Sequence, residues 1–344
     1  MGLDLYGLGR VRSEQGVLPQ RAQVLDPSLP LRPGELAIDV ESLNIDAASF
    51  KQLKDASGGD AQGIIAAVRE IVSRRGKMQN PVTGSGGMLI GRVREVTKEH
   101  PAAGTLQPGD RIATLVSLTL TPLVIDSVRG IRPEIDRLDV TGHAILFPSG
   151  IFAKLPADLP DTLSLAALDV AGAPALVARW VKPGQTVVVL GAGKSGALCL
   201  AQARAQMGGL GTLIALDVSR PALDALQALG LCDRTIACDA TKGVDVMEQI
   251  AGLTGGALAD LVVNCASVGN TEMASILSVK SGGTVIFFSM ATSFTAAALG
   301  AEGVGKDVTM LVGNGYVPGH AELTLDLLRK NPGLRALFEQ RYGA

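Results

Sequence analysis

Histidine, cysteine and aromatic side chains are scarce in this chain of 344 residues: three His, four Cys, and 3% Phe, Trp and Tyr together. Each scarcity excludes something. The histidines stand apart at 100, 143 and 320, with no Cys or His beside them at ligand spacing, so the sequence offers no dense metal-ligand set. The cysteines, Cys199, Cys232, Cys238 and Cys265, form no CxxC pair and mostly lie in apolar surroundings; they read as free, largely buried thiols of a reducing cytoplasm. With so few aromatics the cores must be built from Ala, Val, Leu and Ile, and an apolar content of 47% supplies them. No apolar run reaches the roughly 18 residues that a bilayer span needs. The first twenty residues lack the charged-then-apolar pattern of a signal peptide. Charge of neither sign dominates: 31 basic and 33 acidic residues leave a net −2 without a long like-charge run, which argues against nucleic acid or an anionic membrane as partner.

What is present divides the chain in two. Residues 1–155 are β-rich and loop-rich. GELAIDVESLNI (34–45) follows a turn and alternates apolar with polar residues, as a half-buried strand does, and MLIGRVREV (88–96) repeats the pattern. LQPGDRIATLVSL (106–118) sets a Pro-Gly-Asp turn before another strand. DAQGIIAAVREIVSRRG (60–76) instead has helical spacing and a glycine stop. Residues 156–330 read differently. LSLAALDVAGAPALVARWV (163–181) is expected to be one helix interrupted near Pro174. After it, nearly continuous Val/Ile/Leu runs at 186–191, 212–217, 234–239, 258–266, 282–289 and 307–314 alternate with helical segments. Such strands are covered by helices on both faces, so the pattern predicts a doubly wound parallel sheet of the Rossmann type. Residues 331–344 form a tail that we expect to return toward the first domain.

The first of these units, VVVLGAGKSGALCL, holds GxGxxG as Gly191, Gly193 and Gly196. It ends a strand and opens a helix, the context the motif requires. The first glycine turns the chain, the second admits a pyrophosphate to the helix N-terminus, and the third lets helix and strand pack closely. Lys194 and Ser195 lie inside the motif. Asp217 ends the second strand, where a carboxylate accepts hydrogen bonds from ribose hydroxyls and repels a 2′-phosphate, so NAD is the expected cofactor. Ser219 and Arg220 follow it, and Arg220 leaves room for NADP. Ser267 and Val268, after the fourth strand, and Ser289 and Met290, after the fifth, fall where ribose and nicotinamide are expected. The residues alone reach a zinc-free nicotinamide oxidoreductase. They leave open an alcohol dehydrogenase or quinone reductase, although a quinone wants aromatic stacking partners, and a dinucleotide sensor without catalysis.

The order GELAIDVESLNID, GMLIGRVREV, LQPGDRIATL, VKPGQTVVVLGAGKSG, GGTVIFFS resembles the medium-chain dehydrogenase/reductase superfamily along almost the full chain. That resemblance implies a GroES-like catalytic domain first, a Rossmann domain second, chemistry in the cleft between them, and a homodimer. It also marks departures. NIDAASF (44–50) has no Cys where many members place a zinc ligand, and Ser85-Gly86-Gly87 stands near their Gly-His-Glu. No metal is expected, so acid–base work falls to side chains.

A closer resemblance, carried by IDVESLNIDAASF, KMQNPVTGSGGMLIG and TGHAILFPSGIFAKLP, is to the L-erythro-3,5-diaminohexanoate dehydrogenase family. It implies NAD-linked removal of the 3-amino group from a small diamino acid, giving 5-amino-3-oxohexanoate and ammonium in lysine fermentation. Such chemistry needs a base tuned near neutral pH and anchors for a carboxylate and a second ammonium. Asp46 is a candidate base or ammonium ligand, though it also suits an Asx turn or cap. Lys77 is a candidate base or carboxylate anchor, and His143 a candidate base that equally fits a structural role. Asn80, Thr83, Ser85, Glu134, with its neighbour Asp136, and Tyr316, with His320, are candidate substrate contacts. The glycines of KMQNPVTGSGGMLIG are expected to let backbone approach nicotinamide or substrate.

Overall fold

The alternating segment at 34–45 becomes β1 (Leu36–Ile45), the central strand of an antiparallel sheet. In the computed structural model, which describes residues 2–313 and 315–343, the chain divides into two compact units, Met1–Ala157 and Asp158–Ala344. In the first, β1 is followed by α1 (Ala47–Ala56), α2 (Ala61–Arg75), β2 (Gly87–Val96), β3 (Arg111–Thr114), β4 (Leu123–Arg132), β5 (Arg137–Leu146) and β6 (Phe152–Lys154). The strand order is β4-β5-β1-β2-β3-β6, every pairing antiparallel. The inward residues Leu36, Ile38, Leu43, Leu89, Leu138 and Val140 are buried, and Phe50 and Leu53 of α1 and Ile64, Val68 and Val72 of α2 belong to the same core. Fully burying each such side chain contributes about 1.5–3 kcal/mol.

A long irregular segment precedes β1 and is held by a buried charge cluster. Arg10, 1% exposed, donates from Nε to Glu35 at 2.8 Å and from Nη2 to the second Glu35 oxygen at 2.5 Å. Its other nitrogen donors reach the carbonyls of Asp26, Ser28 and Pro30.

The second unit opens with α3 (Asp161–Leu168) and α4 (Gly172–Trp180), then β7 (Thr186–Leu190), α5 (Lys194–Met207), β8 (Thr212–Asp217), α6 (Arg220–Ala228), β9 (Arg234–Ala237), α7 (Gly243–Thr254), β10 (Ala259–Asn264), α8 (Glu272–Ser278), β11 (Val279–Phe287), α9 (Phe294–Gly303), β12 (Val308–Val312), α10 (His320–Lys330) and α11 (Pro332–Tyr342). All six strands are parallel, in the order β12-β11-β10-β7-β8-β9. That is the doubly wound Rossmann order, in which the switch point falls between β7 and β10.

Several details depart from the sequence reading. The segment 163–181, read as a helix interrupted near Pro174, is two helices: Pro174 has no N–H for the Val170 carbonyl and its ring crowds that carbonyl, so the chain turns at 169–171 and Pro174 falls in the first turn of α4. The strand expected over 106–118 shrinks to Arg111–Thr114. The segment RPEIDRLDV, which holds the candidate substrate contacts Glu134 and Asp136, is the tip of the β4–β5 hairpin. The tail forms α11, which packs in the second unit, where Arg341 donates to the Ala192 carbonyl at 3.3 Å. No single helix among the described residues is long and apolar enough to cross a membrane.

A dinucleotide turn and a carboxylate corner

The buried run of β7 delivers the chain to Gly191 in the left-handed region, at φ 97°. Its N–H donates to Leu216 at 2.7 Å, and a Cβ there would lie 2.9 Å from the Cys265 carbonyl carbon. At Gly196 a Cβ would sit 2.9 Å from the Gly191 carbonyl carbon and closer still to its oxygen. Gly193 differs: a Cβ there meets nothing within 4 Å. It is the N-cap of α5 and offers no side chain to the first N–H groups. So two glycines serve packing, and the third keeps the helix N-terminus bare. An uncapped N-terminus with its positive dipole end is an anion site. The residues therefore fit a dinucleotide pyrophosphate.

Asp217 closes the turn from the side. Its Oδ2 accepts from Ala192 N at 2.7 Å and its Oδ1 from Ser219 N at 2.8 Å. The carboxylate that the sequence reading assigned to ribose thus also fixes the motif's shape. Ser219 caps α6 through Ala222 N. Arg220 is exposed, with Nη1 3.4 Å from the Thr235 hydroxyl. Lys194 is drawn to Asp169 at 2.6 Å and lies 5.8 Å from the Tyr342 ring. Ser195 is half-buried and its hydroxyl has no partner among the described residues. Ser267, Val268 and Met290 are exposed after β10 and β11, and Ser289 Oγ accepts from Ala291 N. Arg341 was missed by sequence reasoning; nothing local marks a residue that reaches across 149 positions to the turn.

In the first unit the loop 77–87 closes on itself and on the end of β1. Asn80 is fully buried. Its Oδ1 accepts from Val82 and Thr83 N, its Nδ2 donates to Gln52, and its backbone N donates to Ser85 O at 2.9 Å. A Cβ at Gly86 would meet Met78 O at 2.6 Å, and one at Gly87 (φ 117°) would meet Ile45 Cα at 2.8 Å. Those two glycines admit neighbouring protein backbone, not a ligand, which corrects the expectation drawn for the loop. Gly84 alone stays open.

Asp46 stands at the start of α1, exposed, with Oδ2 accepting from Gly86 N at 3.1 Å and its own N donating to Gly86 O at 3.3 Å. Its second oxygen has no partner among the described residues. Ser49, one turn on, lies 2.5 Å from Thr83 Oγ1 and 2.6 Å from Ser85 Oγ, so the three hydroxyls form a triangle. Asp136, at the hairpin tip, holds φ 53° and accepts Ile45 N on its carbonyl at 2.9 Å. A non-glycine residue in that conformation carries strain of the kind that gathers at functional sites. Loss of water raises its carboxyl above the ordinary 3.8, opposed by the charge of Lys54. Glu134 is exposed beside it, whereas Tyr316 stacks edge-on against His320 in the second unit.

Two expected bases are otherwise engaged. Lys77 is fully buried and its ammonium donates to the carbonyls of Pro19 at 2.7 Å and Gln20 at 3.3 Å. Burial, with some help from Arg75, lowers its pKa to about 8. The chain turns inward after α2, so the amine expected to serve as a base or carboxylate anchor becomes a strut under the N-terminal segment. His143 Nε2 donates to the Pro27 carbonyl at 2.9 Å and ties the same segment to β5. Among the described residues no three His, Cys, Asp or Glu gather to hold a metal.

An antiparallel six-stranded unit followed by a parallel six-stranded unit with an intact glycine turn gives the chain a fold of the medium-chain dehydrogenase/reductase type. Solved structures agree on the fold. A Thermotoga maritima alcohol dehydrogenase is 19% identical, with TM-score 0.55 over 89% of this chain and 84% of that one. A mycobacterial quinone oxidoreductase is 19% identical, with TM-score 0.56 over 94% and 93%. A family model for the L-erythro-3,5-diaminohexanoate dehydrogenase N-terminal domain matches residues 9–156. The L-erythro-3,5-diaminohexanoate dehydrogenases of Acetoanaerobium sticklandii and Fusobacterium nucleatum are 51% and 50% identical over 98% of this chain and of each relative. This chain belongs to the L-erythro-3,5-diaminohexanoate dehydrogenase family.

Proposed function

We propose that this protein catalyses the NAD-dependent oxidative deamination of (3S,5S)-3,5-diaminohexanoate to 5-amino-3-oxohexanoate and ammonium, the step found in lysine fermentation. The observation that carries the reading is the 51% identity across 98% of both chains to a dehydrogenase of that name. A structural relative solved with NADPH, 18% identical with TM-score 0.55, shares the fold. The choice of NAD over NADP rests on Asp217, whose charge at the end of β8 repels a 2′-phosphate.

A bound nicotinamide dinucleotide supplies the acceptor for the hydride from C3. This chain's residues do the rest. Asp46, fixed by Gly86 N–H through one oxygen, presents the other to the substrate ammonium and takes up its proton. The Ser49–Thr83–Ser85 hydroxyls accept and donate around the polar substrate. Asp136 carries the proton for attack of water on the imine, because its raised pKa favours exchange nearer neutrality. Lys77 and His143 hold the N-terminal segment and take no part. Ser195 and the α5 N-terminus bind the pyrophosphate, while Ser267, Val268, Ser289 and Met290 border the ribose and nicotinamide. The protein acts as a homodimer, which sedimentation at micromolar concentration would test.

The deciding assay supplies NAD and 3,5-diaminohexanoate and follows reduced cofactor together with ammonium. One ammonium per reduced cofactor is expected. Reduced cofactor from simple alcohols without ammonium would sink the reading. Asp46→Asn should lower kcat about a hundredfold or more while NADH binding is kept.

A further inference from the structure

Two thiols meet beside the glycine turn. Cys199 is on α5, one turn beyond the GxGxxG motif, and is 0% exposed. Cys265 is the first residue after β10 and is half-buried. Their sulfurs lie 3.9 Å apart. The other two cysteines have no such neighbour among the described residues: Cys232 is buried with its pKa pushed up to about 11, and Cys238 faces the Asp239 carbonyl. Cys265 is also structurally coupled to the turn. Its N–H donates to Leu190 O at 2.8 Å, and its carbonyl carbon abuts Gly191 so closely that a Cβ there would be 2.9 Å away.

We propose that Cys265 and Cys199 are a redox modification site, in which a disulfide formed by peroxide closes the dinucleotide-binding turn to its cofactor. The proposal rests on the dinucleotide site described above and not on the identity of the amino substrate. Cys265, reachable from solvent, reacts first: its thiolate sulfur attacks the peroxide O–O bond, giving a sulfenic acid and releasing one oxygen as water after protonation. The Cys199 sulfur then attacks the sulfenic sulfur. An S–S bond forms, the S–OH bond breaks, and the departing hydroxide takes the Cys199 proton as a second water. In sum two thiols are oxidised by two electrons and one peroxide is reduced to two waters. Burial and the Cys265 sulfur hold the Cys199 thiol well above its ordinary pKa, so it waits as a thiol until the sulfenic acid is presented.

Closure must bring the sulfurs from 3.9 Å to about 2.05 Å. Cys199 lies mid-helix with Leu198 and Leu200, both fully buried, so it cannot yield. The approach is made by the segment after β10. That movement drags the backbone that abuts Gly191 and displaces Ser267 and Val268, two and three residues on. Bound dinucleotide and the disulfide therefore oppose each other.

The full-length protein is treated with hydrogen peroxide, digested without reduction and analysed by mass spectrometry, and NADH binding is followed by fluorescence. A Cys199–Cys265 linked peptide is expected, with NADH binding weakened roughly tenfold and restored by dithiothreitol. Prior saturation with NADH should slow linkage by the same coupling. Cys265→Ser should give no linked peptide and keep its NADH affinity through peroxide treatment. Oxidation that stops at Cys265 without linkage, or linkage that leaves NADH affinity unchanged, overturns the proposal. Loss of turnover on diaminohexanoate alone bears on the substrate, because neither readout uses it.

Discussion

Gly193 and Gly196 belong to one motif but are glycines for different reasons, and alanine at each should separate them. At Gly196 the added Cβ falls 2.9 Å from the Gly191 carbonyl carbon and nearer its oxygen, both backbone atoms. Carbon contacts settle near 3.5–4.0 Å, so the start of α5 must move by about 1 Å or the turn must open. That helix carries Ala197, Leu198, Cys199 and Leu200, all fully or nearly fully buried, and overpacking of this kind costs about 1–3 kcal/mol. At Gly193 the Cβ meets nothing and φ is −77°, so alanine costs only the few tenths to about 1 kcal/mol of a poorer N-cap. It does project into the space over the uncapped N–H groups. Gly193→Ala should therefore unfold in urea within about 1 kcal/mol of wild type yet bind NADH at least tenfold more weakly, since each 1.4 kcal/mol of lost contact is tenfold. Gly196→Ala should lose both stability and binding. Normal NADH binding by Gly193→Ala would refute the placement of the pyrophosphate. Unchanged urea stability of Gly196→Ala would refute the packing role of the third glycine.

Asp217→Ala should weaken NAD binding with a relative gain for NADP, because the charge that repels a 2′-phosphate is lost, and because it also frees the Ala192 and Ser219 N–H groups that shape the turn it should lower the affinity for both cofactors; an unchanged NAD/NADP preference in KM would misplace the ribose contact. Glu35→Gln takes the bidentate carboxylate from buried Arg10 and leaves it only the more distant Asp26, at 3.9 Å, so it should cost up to about 3–5 kcal/mol in urea unfolding; a loss below about 1 kcal/mol would show the cluster contributes little. Lys77 titrates near 8 when folded and ordinarily near 10.5, so below pH 8 the folded state bears the burial of a charge and is relieved as pH rises from 8 toward 10. Wild type should therefore gain on Lys77→Met by roughly 2 kcal/mol between pH 7.5 and 9.5, at about 1.4 kcal/mol per unit. A pH-independent difference would mean that Lys77 is not desolvated as described.

The parallel sheet was legible because its evidence is contiguous. A strand buried on both faces must be apolar throughout, and a tight strand-to-helix turn that binds phosphate must have glycine where a Cβ would meet backbone or ligand, so TVVVLGAGKSG carries its own explanation. The helices α1, α9 and α11 were not legible, since short or glycine-containing segments such as FTAAALGAEG have weak periodicity and are stabilised by packing. The hairpin β4–β5 hid behind its charges because one of its faces is solvated and laced with Arg–Asp pairs such as Arg132–Asp139.

The candidate corner divides in the same way. Its loop could be picked out from KMQNPVTGSGGMLIG, and Asp46, Thr83 and Ser85 from their chemistry. Which of its groups face outward depended on contacts between distant positions. Lys77 meets Pro19 across 58 residues and Asp46 meets Gly86 across 40; at the glycine turn of the second unit Arg341 likewise meets Ala192 across 149. Burial turned one lysine into a strut and backbone crowding claimed two glycines. Residue type and local spacing record the chemistry a side chain can do; only the packed chain sets whether its polar atoms remain free to do it.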